Sequence, residues 1–452
     1  MATANGLMGR DRIMALCEKA LQASEADQTE VLVMAQHSYL TRFANNYIHQ
    51  NMAEEDISIN VRVVFGQRVG VASTNEFTPE AVLRTVREAA EIARLQPANP
   101  RFRSLPRPGV ITGRAKFSEV THGVSPEERA DRARLIIDKA KKAGLEAAGA
   151  VSTGYMEMAV ANSLGIRAYD RGTSAGLNLV VMSADSSGFA ADVNSDFSAI
   201  NYAGGAERAI EKALRSVHPG ELEPGEYTVI LEEPAVADML TMLSFMGMNA
   251  LAVQEGRSFM GGHFGEKITG DNITIWDDGN DPAGMPMPFD FEGVPKEKVM
   301  LIENGIARGV VYDSYTADQE PGAHSTGHAL PAPNEWGPFP LNLFMATGDA
   351  SLEDMIARTE RGVLVTRFHY TNVVDPMRTL FTGMTRDGTF LIENGRVVRG
   401  LKNLRFTQNI LAALSNVDML GKTARLEGNF FGGAMVPALR VHGFNFTGVT
   451  QF

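Results

Sequence analysis

Three histidines in the C-terminal half are the residues best suited to metal chemistry. His324 and His328 stand four positions apart, a spacing that would place both imidazoles on one face of a helix. His263 lies upstream in a glycine-rich stretch and could supply a third ligand. Because Thr326 and Gly327 between the first two histidines are poor helix formers, we expect a loop here. The loop weakens the metal interpretation without excluding it.

The same loop has three interpretations, of which metal binding is one. It could contact a substrate or a partner chain, or it could be a connection without further function. Under the substrate interpretation, glycines let a ligand approach the backbone, and hydroxyls and imidazoles offer hydrogen bonds. The residues that we assign to this contact are Gly322, His324, Ser325, Thr326, Gly327 and His328.

Composition excludes several classes of protein. The 452 residues are 44% hydrophobic and 21% charged, which is typical of a soluble globular protein. A net charge of −12 disfavours binding to nucleic acid. The single cysteine, Cys17, excludes an internal disulfide and a cysteine-based zinc cluster. No apolar run reaches the roughly 20 residues that span a bilayer, and charges at 10–12 interrupt any secretory signal, so we expect a cytoplasmic protein without membrane contact.

The N-terminal half contains one order of elements twice. The first copy has a helix over Asp11–Ser24, strands around a turn at Asn45-Asn46, and a helix that Thr78 caps. The second copy begins at the cap Ser125, continues through strands, and ends in a helix over Gly205–Val217. This order predicts an α+β fold, in which a duplicated helix–strand–hairpin–helix unit places helices on one face of a sheet.

A β-rich C-terminal domain follows, with many glycines and short strands. Asn304-Gly305 and Asn394-Gly395 each end the same five-residue sequence and predict tight hairpin turns. Two separate hairpins and a true duplication explain this repeat equally well. Helices are expected over Pro234–Val253, Leu352–Thr359 and Gln408–Val417. The predicted domains are residues 1–100 (first copy), 101–122 (a proline-containing linker), 123–220 (second copy) and 221–452 (C-terminal domain).

Three runs of the sequence carry a family resemblance. They are Arg42–Gln50, Ser325–Ala329 and Gly383–Gly395, and together they resemble the TldD/PmbA family of metallopeptidases, also called modulators of DNA gyrase. The resemblance extends over nearly the whole chain. It implies a cytoplasmic two-subunit metallopeptidase that acts on unfolded peptides and on precursors of peptide natural products. In that family the TldD subunit carries zinc, and the TldE or PmbA subunit resembles it but lacks the metal.

The zinc motif of the TldD type is absent from this chain. In TldD-type members a helix of the C-terminal domain carries His-Glu-x-x-x-His, and a cysteine near the C-terminus completes the metal site. The matching stretch, Val236–Val253, contains no histidine or cysteine, and its only carboxylate is Asp238. The chain therefore resembles the metal-free TldE/PmbA-type subunit. That resemblance implies no catalytic residue and no cofactor in this chain, with zinc in a TldD-like partner.

Two other functions stay open at this stage, so the sequence does not decide whether the chain is itself an enzyme. A self-sufficient metalloprotease could draw relocated ligands from His263, His324 and His328. A homodimer could instead bind peptides without cleaving them. The expected partner is accordingly a TldD-like chain or a second copy of this chain, with unfolded peptide as substrate and no nucleic acid.

Overall fold

A computed structural model describes residues 6–428 and 432–450 and divides them between two sheets. The N-terminal half forms a six-stranded antiparallel sheet in the order β3-β2-β1-β4-β5-β6. Its elements are α1 (Arg10–Ala23), β1 (Gln28–Ala44), β2 (Tyr47–Phe65), β3 (Arg68–Thr74), α2 (Pro79–Leu95), α3 (Glu119–Gly123), α4 (Pro126–Lys142), β4 (Glu146–Asn162), β5 (Arg167–Met182), β6 (Ser187–Asn194) and α5 (Tyr202–Arg215).

The C-terminal half forms a larger, mixed sheet of 11 strands in the described residues, in which the last strand of the order, β7, pairs back to β17 and closes a ring through β15, β13 and β12. Its elements are β7 (Gly225–Leu231), α6 (Glu233–Phe245), α7 (Ala250–Gln254), β8 (Ile275–Asp277), β9 (Val299–Glu303), β10 (Ile306–Ala307), α8 (Ser314–Ala317), β11 (Asn342–Met345), α9 (Leu352–Ala357), β12 (Arg361–Asp375), β13 (Leu380–Glu393), β14 (Arg396–Gly400), β15 (Leu404–Asn409), α10 (Ile410–Ser415), β16 (Val417–Gly428) and β17 (Gly433–Val449).

The predicted α+β class and the duplication are confirmed. Each copy runs helix, three strands, helix, and pairing of β1 with β4 joins the two copies into one sheet. Side chains alternate between the two faces of a strand. Odd-numbered residues such as Val31, Val61 and Val151 pack against the helices. Even-numbered residues of β1, β4 and β5 therefore form a second face that the helices do not cover, which we call the open face.

Local signals in the sequence specify several element ends. The Thr78 side chain accepts a hydrogen bond from the Ala81 amide, and Ser125 forms a reciprocal capping box with Glu128. Both Asn-Gly pairs adopt positive φ at the two turn residues, joining β9 to β10 and β13 to β14. The predicted hairpin turns are confirmed, because these residue types tolerate that backbone region.

The helix predicted over Pro234–Val253 is wrong in its length. It is interrupted between α6 and α7, where Gly247 has a φ of 139°. A Cβ at this position would lie 2.6 Å from the Ser258 Cα, so the close approach of the two backbones requires glycine. The apolar periodicity of the sequence continues across the break, so it does not indicate where the helix is interrupted.

In the described residues, no helix has both the length and the apolar character needed to cross a bilayer.

Among the contacts that join the two halves of the chain, two sets lie at opposite ends of the open face. At one end, Arg62 Nη2 lies 2.8 Å from a carboxylate oxygen of Glu30 and 2.8 Å from one of Glu292. Phe289 packs against the open face in the same region. At the other end, Ser187 Oγ donates a 2.7 Å hydrogen bond to Asp387. The middle of the open face is left free to border a cavity.

Candidate functional site

The open face forms one wall of a long groove between the two halves of the chain. The groove consists of three neighbouring cavities of about 500, 420 and 930 Å³. Leu40 and Ser152 line both the first and the second cavity, and Arg367 lines both the second and the third. At about 3.3 Å per strand residue, the eleven residues of β4 from Met158 to Ala148 extend about 33 Å along it. That length matches an extended peptide of about ten residues.

The first cavity is apolar and flexible in its lining. Gly154 and Gly172 lie on the open face and leave the sheet backbone without a side chain above it. Thioether side chains rotate freely and adapt to differently shaped apolar partners. The methionines that line this cavity are Met52, Met156, Met158, Met285 and Met287.

The second cavity is acidic. Asp192 from β6, Asp238 from α6 and Glu427 from β16 all line it. Burial raises the pKa of Asp238 to about 7, an effect that Arg367 opposes. Burial likewise raises the pKa of Glu427 to about 7, with neighbouring carboxylates adding to the rise and Arg425 opposing it. Low solvation of the charged form is the common cause.

The third cavity presents cations and hydroxyl groups. Arg386 and Lys402 border it, and Lys402 forms an ion pair of 2.7 Å with Glu221. Hydroxyl groups that line the same cavity are those of Ser183, Ser186, Ser187, Ser216 and Thr389. Asp185 and Asp387 also line this cavity, so the groove changes along its length from apolar to acidic to polar with both signs of charge.

His328 lies in the core of the C-terminal half. Its imidazole is fully buried, with Nε2 2.8 Å from Asp277 Oδ1 and Nδ1 2.9 Å from Thr326 Oγ1. Burial lowers the pKa of His328, and the nearby Lys296 ammonium lowers it further, while Asp277 opposes both. In this position the side chain fixes the loop to β8 and presents no surface to solvent.

The other two histidines lie on the surface in separate ion pairs. His324 Nε2 is 3.0 Å from Glu297, and His263 Nδ1 is 2.7 Å from Glu266. The three histidines thus each contact a different carboxylate. Across residues 6–428 and 432–450, no group of three or more His, Cys, Asp or Glu side chains is placed to hold a metal ion.

The predicted substrate loop divides into an exposed and a buried part. Gly322 and His324 are exposed, whereas Thr326 and Gly327 are buried. A Cβ on Gly327 would lie 2.3 Å from the Pro295 carbonyl oxygen, so this glycine packs against protein backbone. None of the six predicted residues lines the groove. Contact between the exposed part and a substrate stays a prediction.

The groove residues themselves were missed by the sequence interpretation. The available signal was period-two alternation in β4 and β5, where small or polar residues alternate with buried apolar ones. Ser152, Gly154 and Gly176 occupy the face opposite the helices. Alternation identifies such a face but does not show that another domain stands across from it.

Comparison with protein families identifies the chain. Models of the PmbA/TldA metallopeptidases match it in order, with domain 1 over residues 29–93, the central domain over 121–217 and the C-terminal domain over 224–448. The chain belongs to the PmbA/TldD family. These matches include the strands that build both walls of the groove.

Relatives of the PmbA/TldD family align over most of their length. The metalloprotease PmbA of Escherichia coli O157:H7 is 24% identical over 445 residues, which is 94% of each chain. A metalloprotease TldD homolog of Buchnera aphidicola is 24% identical over 85% of this chain and 83% of its own length. The crystal structure of TldE from Thermococcus kodakarensis superimposes with a TM-score of 0.87 at 24% identity, covering 97% of this chain and 100% of that one. The fold is therefore that of TldE.

Proposed function

We propose that the chain is the TldE/PmbA-like, metal-free subunit of a two-chain metallopeptidase and that its groove holds unfolded peptide. The observation that carries this proposal is the groove itself, which follows eleven residues of β4 between the two halves of the chain. A folded domain cannot enter such a space. An extended segment can, and its free backbone N–H and C=O groups are available to the groove walls.

The lining of the groove supports a peptide of variable sequence. Methionines adapt to many side-chain shapes, and glycines on the open face let a peptide backbone lie close to the sheet. The acidic cavity and the cavity of mixed charge further along the groove can hold charged groups of many shapes. This combination favours recognition of an unfolded state over recognition of a particular sequence.

The residues of α6 support the assignment of zinc to a partner. This helix borders the groove through Ala237 and Asp238, yet its sequence contains neither histidine nor cysteine. A catalytic zinc site needs three protein ligands of the His, Cys, Asp or Glu type. In our proposal a TldD-like chain supplies the metal and the hydrolytic water, and this chain supplies peptide binding.

The partner is proposed to dock on the hairpin that joins β12 to β13. Four apolar side chains of this hairpin are exposed in the isolated chain: Tyr370, Val373, Val374 and Met377. Exposed apolar residues that lie together mark protein contacts more often than free surface. Val374, at 54% exposure, lies near the end of β12.

Replacing Val374 with aspartate is expected to weaken association with the TldD-like chain at least about tenfold, because a buried unpaired carboxylate opposes docking. Val398→Asp is the matched control, since Val398 lies on β14 and is 49% exposed. Analytical ultracentrifugation of each variant mixed with the TldD-like chain measures the two affinities. Equal loss of affinity in the two variants would remove the hairpin from the interface.

One experiment tests the proposed function as a whole. The chain is co-expressed with the TldD-like protein of its own genome, and the purified material is assayed for association, zinc content and cleavage of an unfolded peptide. We expect a complex with zinc only in the partner and activity only in the complex. Zinc at about one per chain in the lone protein, lost on His324→Ala plus His328→Ala, would favour the relocated-ligand metalloprotease. A stable homodimer that binds peptide but not the TldD-like chain would favour a binding protein.

A further inference from the structure

The charges around the second cavity are unevenly matched. Each guanidinium or ammonium group near it already serves a carboxylate: Arg367 donates to Asp387, Arg208 Nη2 lies 2.8 Å from Asp192, and Lys212 pairs with Glu232. Arg425 lies 2.9 Å from Glu427. Asp238 alone has neither a hydrogen bond nor an ion pair within the described part of the chain. Among the described residues, the cavity wall therefore carries one carboxylate that no cation contacts directly, and Arg367 acts on it only from a distance.

Glu427 gives a second, independent indication. Its side chain is only 6% exposed, yet it lines the cavity. Arg425 lies close to Oε1 as an ion pair, but no donor among the described residues is aligned for a hydrogen bond to that atom. A buried carboxylate oxygen without a donor is unfavourable, because it has lost its hydration without gaining a hydrogen bond. Because Oε1 itself is closed to solvent, a cation in the cavity would instead offset the charge of Glu427 from the part of the side chain that lines the cavity.

We propose that the second cavity binds a primary ammonium group of the peptide, held between Asp238 and Glu427. This inference rests on the proposed function, because it names the chemical group that the peptide groove recognises. An ammonium group has three N–H donors and one positive charge. It can donate to both carboxylates at once and still reach a third acceptor.

A divalent metal ion fits this place less well. Calcium binds six to eight oxygen ligands, and magnesium requires near-octahedral geometry. Three carboxylates line the cavity, but Asp192 is paired with Arg208 and Glu427 with Arg425, so they do not provide that set. The two raised pKa values have the same origin, since each carboxylate lacks solvent and a full counter-charge. An ammonium group supplies that charge with few ligands.

A primary ammonium group has two sources in a peptide, the N-terminus and lysine. The cavity lies partway along the groove, so an N-terminus held here would fix the register of the peptide relative to the partner's active site. A lysine held here would instead select sequences with that residue at one position. The chemistry of the cavity is the same for both, and only measurement with defined peptides separates them.

The test uses the full chain and a ten-residue Gly/Ser/Ala peptide with a fluorophore at its C-terminus. The peptide is compared in three forms: free N-terminus, acetylated N-terminus, and acetylated N-terminus with one internal lysine. We expect acetylation to weaken binding at least about tenfold, measured by fluorescence anisotropy. Recovery of affinity in the lysine form would show that lysine also occupies the site, and no recovery would assign it to the N-terminus.

Variants decide whether the two carboxylates are responsible. Asp238→Asn and Glu427→Gln are expected to reduce the difference between free and acetylated peptide to less than about twofold, with affinity for the acetylated form unchanged. Glu91→Gln is the matched control, because Glu91 is an exposed carboxylate on α2, outside the groove. Thermal unfolding verifies that each variant is folded. Asp238→Asn removes an unpaired carboxylate without changing shape, so it should not lower the melting temperature.

The possible failures are distinguishable. If free and acetylated peptides bind equally well, the ammonium site is wrong and the peptide groove stands. If neither peptide binds this chain or its complex, the proposed function itself fails. If Asp238→Asn and Glu427→Gln both keep the full preference for the free N-terminus, the ammonium group is bound elsewhere, and the assignment to this cavity is overturned.

Discussion

Replacing Arg62 with methionine is expected to lower the free energy of unfolding by about 3–5 kcal/mol. The guanidinium joins Glu30 of the N-terminal sheet to Glu292 of the C-terminal half, and both carboxylates are almost fully buried. Without Arg62 these two negative charges would face each other away from water. Removing one partner of a buried ion pair is unfavourable chiefly because of the charge that stays behind. Urea denaturation followed by circular dichroism measures the change.

The loss of unfolding free energy in the Arg62→Met variant should be larger at high pH than at low pH. Burial already raises the pKa of Glu30 to about 7, which Arg62 opposes and Glu292 reinforces. The folded state then binds more protons than the unfolded state between about pH 4.5 and 7, so this group makes stability fall as pH rises across that interval. Removing Arg62 raises the pKa further. The variant should therefore lose more stability at pH 8 than at pH 5.

A matched control separates this effect from the general loss of an arginine. Arg84 is exposed and lies 3.5 Å from Glu76, so Arg84→Met should change stability by less than about 1 kcal/mol. Adding Glu30→Gln and Glu292→Gln to the Arg62 variant should restore much of the loss. A loss for Arg62→Met no larger than that for Arg84→Met would show that the buried network does not join the two halves.

The sequence predicts the N-terminal half well because its signals are local. Caps at Thr78 and Ser125 and a turn at Asn45-Asn46 each act within a few residues. The length of the strands was underestimated, since β1 and β2 are unbroken over 17 and 19 residues. In β2, residues 49–56 are exposed and carry no alternating apolar pattern, so no sequence signal indicates that the strand continues through them.

The candidate site was less predictable because it depends on contacts between distant segments. His324 and His328 are close in sequence, yet one is on the surface and the other is buried beside Asp277. In contrast, Asp238 and Glu427 are separated by almost 190 positions and line one cavity. The spacing of residues in the sequence can predict that they share one face of a helix. It cannot predict that residues from two distant segments lie in the same cavity. The absence of the zinc motif can be recognised from the sequence, because the motif is defined by residue types and their spacing and needs no knowledge of the fold.

Filling the groove at Ser152 should abolish its function while leaving the fold intact. Ser152 lies on the open face of β4, lines both the first and the second cavity, and pairs in register with Gly176. Ser152→Trp would place an indole in the space between these cavities. Because that space is open, the added volume should not strain the core. We expect the dissociation constant for an unfolded peptide to rise at least about tenfold, and cleavage by the complex with the TldD-like chain to fall at least as much.

Ser152→Ala is the control at the same position, since it widens the groove and should leave peptide binding within about twofold. Association with the TldD-like chain and zinc content of the complex should be unchanged in both variants, because Ser152 lies far in sequence and on another sheet from the β12–β13 hairpin. Normal cleavage by a folded Ser152→Trp complex would mean that peptide reaches the metal by a route outside this groove. In that case the chain would act on its partner through association alone, and the groove would need another ligand.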